Sequence, residues 1–485
     1  MFGRISIILL FILITASVLR FYGLTNQSLW NDELSSWARS HYDDFGSVLK
    51  NGVSTDVHPP GYHLVVYLVE KYIGDDEWQL RLPSAISGIL SVLAIFFLGL
   101  KLYSYKEGLI ASALTAVLWC PIYFSQEGRA YSMLLLFTIL ATYFLATILI
   151  GLNEGRKISI YIIFGYIFSA IAAAYLHYYG LLLIALQGLG AILFFIRKRK
   201  VVFTLFIIYL IILIAYMPWL VKMGKFRSAD ISWIAPPGNI LVTFVGYLKF
   251  IFNNSIKFVI LAIGMCLLSF IQTMRHSRTI SRANSDGALP FSTEKFLILW
   301  LIVPFAVMYI KSVLSYPVLI NRGLIISLPA AYLLFSRAVT TLLARPKLQV
   351  IFTVMIIGYS IYWLLSQHYY SLPCKQEWRQ SVNYLAVNDK NYNNSLMIGY
   401  SWNLDYFNYY FKKLNSSIRI KIMAGDENDI FKISNLIGSQ KPKYIWYING
   451  NRTPDKIFMN FLYQRLSLIK KKKFIGLDIL LFKNL

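Results

Sequence analysis

Apolar runs of roughly 18 to 23 residues recur from Ile5 to Leu365, broken by short polar stretches. Each is long enough to cross a hydrocarbon core about 30 Å thick. About eleven stretches read as spans: 5–22, 82–104, 107–124, 130–150, 159–176, 179–196, 201–219, 256–274, 296–314, 323–340 and 348–366. After residue 367 the runs shorten and their period changes. "KQEWRQSVNYL", "NLDYFNYYFKK" and "NDIFKISNLI" read as helices, and "NSLMIGY", "SIRIKIM" and "KYIWYI" as strands. A basic helix around 455–469 and the strand "LDILLFK" follow. This alternation predicts a small α/β domain over 367–485, behind a polytopic helical membrane domain over 1–366.

Two hydrophobic stretches do not read as spans. In "PPGYHLVVYLVEKYIG", 59–74, one helical face carries Leu64, Val65, Leu68, Val69, Tyr72 and Ile73, and the other His63, Tyr67, Glu70 and Lys71. That contrast predicts a helix lying in the membrane interface, with the paired prolines in its first turn. The stretch 239–252 is short for a span and is read the same way. Residues 277–294 read as a polar, flexible loop.

Basic clusters set the orientation. They fall at Arg4, Lys101 and Lys106, Arg156 and Lys157, 197–200, Arg275 through Lys295, and Arg337, Arg345 and Lys347. Spans that start inside place every cluster inside. The N-terminus is then cytoplasmic, and the loop 23–80 and the C-terminal domain are extracytoplasmic, which in a bacterium is periplasmic. The first span carries no small-residue cleavage site before Tyr22 and reads as a retained anchor in the inner (plasma) membrane.

Composition narrows the partners. Lys and Arg number 47 against 23 Asp and Glu, a net charge of +24. Much of that charge sits in short inter-span loops, so it points to anionic membrane lipids and not to nucleic acid. Only 14% of residues are charged and 57% are hydrophobic. A soluble chain carries about 25% charged residues. The three cysteines suggest neither a disulfide framework nor a cysteine metal site.

Against this background one acidic pair stands out. In "SLWNDELSSW", 28–37, Asp32 and Glu33 lie between Trp30 and Trp37, just past the first span. Other chemistry-bearing groups gather at the same outer helix ends: "DVHPP" with Asp56 and His58, then His63, "FSQEGRAY" with Glu127, Arg129 and Tyr131, "YLHYYG" with His177, and Arg322. Each alone has a plain reading. Acids favour a helix N-terminus, His-Pro-Pro makes a turn, Glu127 and Arg129 could be an interfacial pair, and His177 sits in an aromatic belt. Their joint occurrence on one face points to a site.

These stretches resemble the polyprenyl-phosphate-sugar-dependent glycosyltransferases of the GT-C fold, the superfamily of the protein O-mannosyltransferases and the lipid A aminoarabinose transferase. The matching segments are "RFYGLTNQSLWNDELSSW", "DVHPPGYHL", "DDEWQLRLPSAISG", "YFSQEGRAYSMLLL" and "AYLHYYGLLLIALQ", within roughly residues 18–190. The C-terminal domain is similar in outline to the extracytoplasmic tails of bacterial members. The sequence departs at two points. After His58-Pro59-Pro60 stand Gly61, Tyr62 and His63 where mannosyltransferases usually carry Leu-Gly-Lys, and Arg322 is followed by Gly323 rather than Tyr.

The resemblance implies transfer of a sugar from a polyprenyl-phosphate donor to an envelope acceptor, with inversion at the anomeric carbon. The acceptor could be lipid A, core oligosaccharide, another glycan or a protein. It implies Asp32 as general base, with Glu33 tuning it or binding sugar hydroxyls. Arg129, Tyr131, His58, His63, His177 and Arg322 are the candidate ligands of the leaving phosphate. Glu127 and Asp56 are candidate supports or ligands of a divalent metal ion, and no other cofactor is implied. Two rival readings remain open: a transporter or flippase of lipid-linked sugars, and a non-catalytic assembly subunit.

Overall fold

The computed structural model describes residues 2–56, 58–223, 234–277, 292–400, 403, 405–414, 418, 420–422, 427–450 and 455–484. The polar loop read at 277–294 lies mostly outside the described residues, as do residues 224–233 and parts of "SIRIKIM". The helices, in chain order, are α1 (Phe2–Phe21), α2 (Asn31–Ala38), α3 (Gly61–Tyr72), α4 (Glu77–Leu102), α5 (Tyr105–Val117), α6 (Trp119–Ser125), α7 (Tyr131–Asn153), α8 (Ile160–Leu176), α9 (Tyr178–Phe194), α10 (Arg199–Met223), α11 (Ile240–Ile251), α12 (Ile256–Ser277), α13 (Thr293–Leu314), α14 (Leu328–Leu342), α15 (Pro346–Ser366), α16 (Trp378–Asn388), α17 (Asp405–Lys413), α18 (Glu427–Gln440) and α19 (Lys456–Arg465).

Among the described residues, seven helical segments are long and apolar enough to cross a membrane, and the pair α5 and α6 makes an eighth as a broken span. The chain is a multi-span membrane protein. The other stretches read as spans are shorter apolar helices: α1 from Ile5, α8 and α9. The twelve residues of α11 fall short of the roughly 20 a span needs.

The break between α5 and α6 bends the pair by 59°. It releases backbone carbonyls that a bilayer cannot satisfy. Arg20 of α1 supplies the donors, to Thr115 O at 2.8 Å, Ala116 O at 3.1 Å and Ser125 Oγ at 3.1 Å. Asn253 Oδ1 accepts the freed Trp119 N–H at 2.8 Å. Nearby, α4 and α5 cross at two glycines. A Cβ on Gly108 would stand 2.6 Å from Phe96 O, and one on Gly99 2.6 Å from Gly108 Cα. Both obstacles are backbone and cannot swing away. Gly108→Val is therefore expected to cost about 1–3 kcal/mol, read as a lower melting temperature in detergent. An unchanged melting temperature would show that these helices can part freely.

The α3 helix buries His63 and Tyr67 of the polar face read in the sequence, while Lys71 of that face is exposed. Tyr62, His63, Val66, Tyr67 and Val69 are buried, while Leu68, Tyr72 and Ile73 are exposed. Its start lies hard against α8, since a Cβ on Gly61 would stand 2.7 Å from Tyr175 O.

The C-terminal sheet holds β1 (Ser395–Tyr400), β2 (Lys421–Ile422), β3 (Tyr444–Gly450), β4 (Leu466–Phe474) and β5 (Leu477–Asn484), in the order β2-β1-β3-β5-β4. β1 runs parallel to β2 and β3, and β5 runs antiparallel to both β3 and β4. Alternate residues serve opposite cores, as the period of a strand requires. Leu396, Ile398, Ile445, Tyr447, Leu480 and Phe482 pack under α18 and α19. Met397, Trp446, Ile448, Ile479 and Leu481 join a cluster that continues through Trp378, Phe407 and Tyr409 to Leu29, Leu34, Trp37 and Tyr62. The sheet domain and the site-bearing end of the helical domain thus share one core.

One expectation is corrected. The basic helix read at 455–469 ends at Arg465, and Leu466–Phe474 is a strand paired with β5. Gly476, at φ +74°, makes the tight turn that brings the two strands together.

Candidate active site

The site is built on α2, whose N-cap is Trp30. Glu33, in the first turn, accepts the Trp30 N–H at 3.2 Å, which satisfies one backbone donor at the helix start. Asp32 and Glu33 are consecutive, so the helix turns them about 100° apart. They face different surroundings.

Glu33 points into protein and is 2% exposed. Oε1 accepts from Arg81 Nε at 2.7 Å and from the Gly128 N–H at 2.6 Å, and Oε2 accepts from Arg81 Nη2 at 2.8 Å. Lys375 Nζ is 3.7 Å away. Burial alone would raise the Glu33 pKa. The charges of Arg81 and Lys375 and the hydrogen bonds from Arg81 and Gly128 overcome it and hold the carboxyl at about 2. With its oxygens engaged in this way, Glu33 anchors the site. The expectation that it meets sugar hydroxyls finds no geometric support.

Asp32 points outward. Oδ2 accepts from Arg322 Nη1 at 2.8 Å, and both side chains are about one-quarter exposed. The Arg322 guanidinium lies 5.6 Å from the centre of the Tyr131 ring and 6.0 Å from that of Trp30. Trp30, Glu127 and Arg322 line a cavity of about 770 Å³, whose other walls are largely aromatic, among them Trp119, Phe250 and Trp363. Three buried polar atoms in this neighbourhood take no hydrogen bond among the described residues: Trp30 Nε1, Glu127 Oε2 and Tyr131 Oη. Burial raises the Glu127 pKa, opposed by the charge of Lys375 and reinforced by Glu33 and Asp32.

Arg129 is placed differently from its expected role. Nη1 donates to Asp32 O at 3.1 Å and to Ser36 Oγ at 2.8 Å. It is buried and holds α2 from behind.

A second cluster lies on the loop before α3. Asp56 Oδ1 pairs with His58 Nδ1 at 3.0 Å, and Oδ2 with His63 Nε2 at 2.8 Å and Arg39 Nε at 3.5 Å. Burial would raise the Asp56 pKa, but the two imidazoles hold it far below the ordinary range. Burial lowers the His63 pKa, against the pull of Asp56. His177 caps α9, its Nδ1 accepting the Tyr179 N–H at 3.2 Å. Burial, with the nearby charges of His58, Arg322 and Arg129, pushes its pKa well below the ordinary value. Ring contacts run from His58 to His177 at 5.9 Å and on to Tyr131 at 5.7 Å, linking this cluster to Arg322.

The structure therefore draws the residues singled out in the sequence to one end of the helical domain, in two adjoining groups. Among the described residues, no three His, Cys, Asp or Glu side chains converge to hold a metal ion. The oxygens of Asp56 are already committed to imidazole and guanidinium partners.

Two charged residues escaped the sequence reading. Arg81 had a signal, being a cation at the edge of the span read from residue 82, four residues after Glu77. Lys375 had none, because it opens the stretch "KQEWRQSVNYL", read only as a helix, whereas the helix begins at Trp378.

Residues 57–221 match the model of the dolichyl-phosphate-mannose-protein mannosyltransferase family. No curated protein matches the sequence. Among solved structures, the chain is similar to ArnT from Cupriavidus metallidurans bound to undecaprenyl phosphate. The TM-score is 0.59 at 12% identity, over 99% of this chain and 98% of that one. It is also similar to the oligosaccharyltransferase of Archaeoglobus fulgidus in complex with zinc and sulfate. There the TM-score is 0.56 at 13% identity, over 91% of this chain and 67% of that one. At these identities the likenesses establish a common fold.

Proposed function

We propose that this chain, a membrane glycosyltransferase of the GT-C fold, moves a sugar from a polyprenyl-phosphate donor to a hydroxyl of an envelope acceptor, with inversion at the anomeric carbon. The observation that carries the reading is the Asp32–Arg322 pair, 2.8 Å apart, beside an aromatic cavity of about 770 Å³. A base and a phosphate ligand must stand side by side for this reaction. Asp32 Oδ1, which takes no hydrogen bond from a described residue, receives the acceptor proton. The acceptor oxygen forms its bond to the anomeric carbon as the bond from that carbon to the phosphate oxygen breaks. The electron pair leaves with the phosphate.

Arg322 takes the developing phosphate charge, with the free hydroxyl of Tyr131 as a second donor. The indole N–H of Trp30 and the unpartnered Glu127 oxygen offer one donor and one acceptor to sugar hydroxyls. The prenyl chain runs along Trp119, Phe250 and Trp363. Arg129 and Glu33 act at one remove, by fixing α2.

The test is mass spectrometry of envelope glycolipids and glycans from a strain lacking the gene and from the same strain carrying the wild-type copy. A fixed sugar mass, lost in the first and restored in the second, is the expected result. An unchanged profile, together with passage of intact lipid-linked sugar across vesicles holding the purified protein, would favour the transporter reading instead.

A further inference from the structure

The segment 367–379 joins the last membrane helix to the sheet domain, and it meets the loop that carries Asp32 at nearly every step. Tyr369 Oη donates to Gln126 Oε1 at 3.0 Å, and Asn26 Nδ2 donates to Tyr370 O at 2.8 Å. Gln27 Oε1 accepts the N–H groups of Cys374 and Lys375, both at 3.0 Å. Ser28 Oγ donates to Gln376 O at 2.5 Å, and Gln376 Oε1 accepts the Asn31 N–H at 2.8 Å. Arg379 donates to Thr25 O and Asn26 O. From the sheet domain, Tyr410 Oη accepts the Leu29 N–H at 2.7 Å and donates to Glu77 Oε1 at 2.7 Å. The loop borrows its backbone partners from the far end of the chain. Leu372, Pro373 and Cys374 also wall the substrate cavity.

Lys375 lies at the centre of this seam and is 7% exposed. Its Nζ donates to Gln126 O at 3.2 Å, sits 3.7 Å from Glu33 Oε2 and lies 5.3 Å from the Tyr123 ring centre. It ties the 126–129 turn, whose Gly128 N–H binds Glu33, to α2. A buried ammonium is costly unless paired. Here its partners are the two loops that form the site.

We infer that the connection to the C-terminal domain is a working wall of the active site, in which Lys375 is a positioning residue that fixes the Asp32 loop against the 126–129 turn. The activity arm of its test rests on the transferase reading above; the exchange arm does not. Three variants of the full-length protein test it: Lys375→Met, Lys375→Arg and Gln376→Ala. Turnover, donor KM and hydrogen exchange of peptides covering 24–34 and 124–131 are measured on each. The expected result for Lys375→Met and Gln376→Ala is a loss of turnover on the order of 10- to 100-fold, with donor KM little changed and both peptides exchanging faster. Lys375→Arg should recover most of the turnover.

Unchanged turnover and exchange in both neutral variants would overturn the inference. So would lost turnover with unchanged exchange, which would make Lys375 a direct substrate ligand. If Lys375→Met fails to fold, Gln376→Ala decides by the same two readouts. If the wild type transfers no sugar, the transferase reading fails. Exchange alone then decides: faster exchange in the variants supports the wall, and equal exchange overturns it.

Discussion

Replacing Asp32 with Asn is expected to lower turnover by about 10²- to 10⁴-fold, the usual worth of a general base, while donor binding survives. The amide has the shape of the carboxylate and can still accept from Arg322, now at 2.8 Å from Oδ2. It cannot take the acceptor's proton. The Arg129 hydrogen bonds are kept, because they go to the Asp32 backbone carbonyl and Ser36. The two measurements are transfer from a labelled polyprenyl-phosphate sugar and binding of the free polyprenyl phosphate, both on purified protein. Turnover within a few-fold of wild type would remove Asp32 from the chemistry. Loss of donor binding in equal measure would recast it as a ligand.

The second large effect is on stability. Glu33→Gln leaves the buried Arg81 guanidinium without its counter-charge, and breaking a buried pair from one side costs about 3–5 kcal/mol. Arg81→Met should cost comparably. The double variant should cost clearly less than the sum, since neither charge is then stranded. Thermal unfolding or protease resistance in detergent measures all three. Additive losses would show that the pair is not a unit.

The pH dependence follows from the same geometry. The folded-state pKa of Glu33, about 2, lies below the value of about 4.3 for a free Glu. Its contribution is present above the free value and is lost as pH falls through the folded one. Wild type should therefore lose stability more steeply than Glu33→Gln below about pH 4. Parallel acid curves would argue against the assignment.

The spans were legible because long apolar runs have few alternatives, and the site cluster because acidic and histidine groups gather at one set of helix ends in a chain poor in acids. Asp32 and Glu33 were legible as a pair but not as two roles. Adjacent helix positions diverge by about 100°, and only the packing of Arg81 decides which acid faces in. Arg129 looked like a phosphate ligand, since its composition suits one. Its burial against Ser36 depends on how α2 meets the 126–129 turn, which no local pattern records. Lys375 was invisible for a related reason. Its importance comes from the contact between two distant parts of the chain, and its own neighbourhood reads only as the start of a helix. At 466–469 the sequence reading carried the helix on, and the turn at Gly476 settled the matter by making a hairpin.

That hairpin bears on what the sheet domain can recruit. β4 ends the sheet on one side and carries Lys470, Lys471, Lys472 and Lys473, all exposed. An incoming strand would settle about 4.8 Å from it, with every second lysine on each face beside its side chains. A second copy of the same edge tolerates this least, since like charges would stand opposite each other. Copies crowded in one membrane will therefore not zip together along this strand.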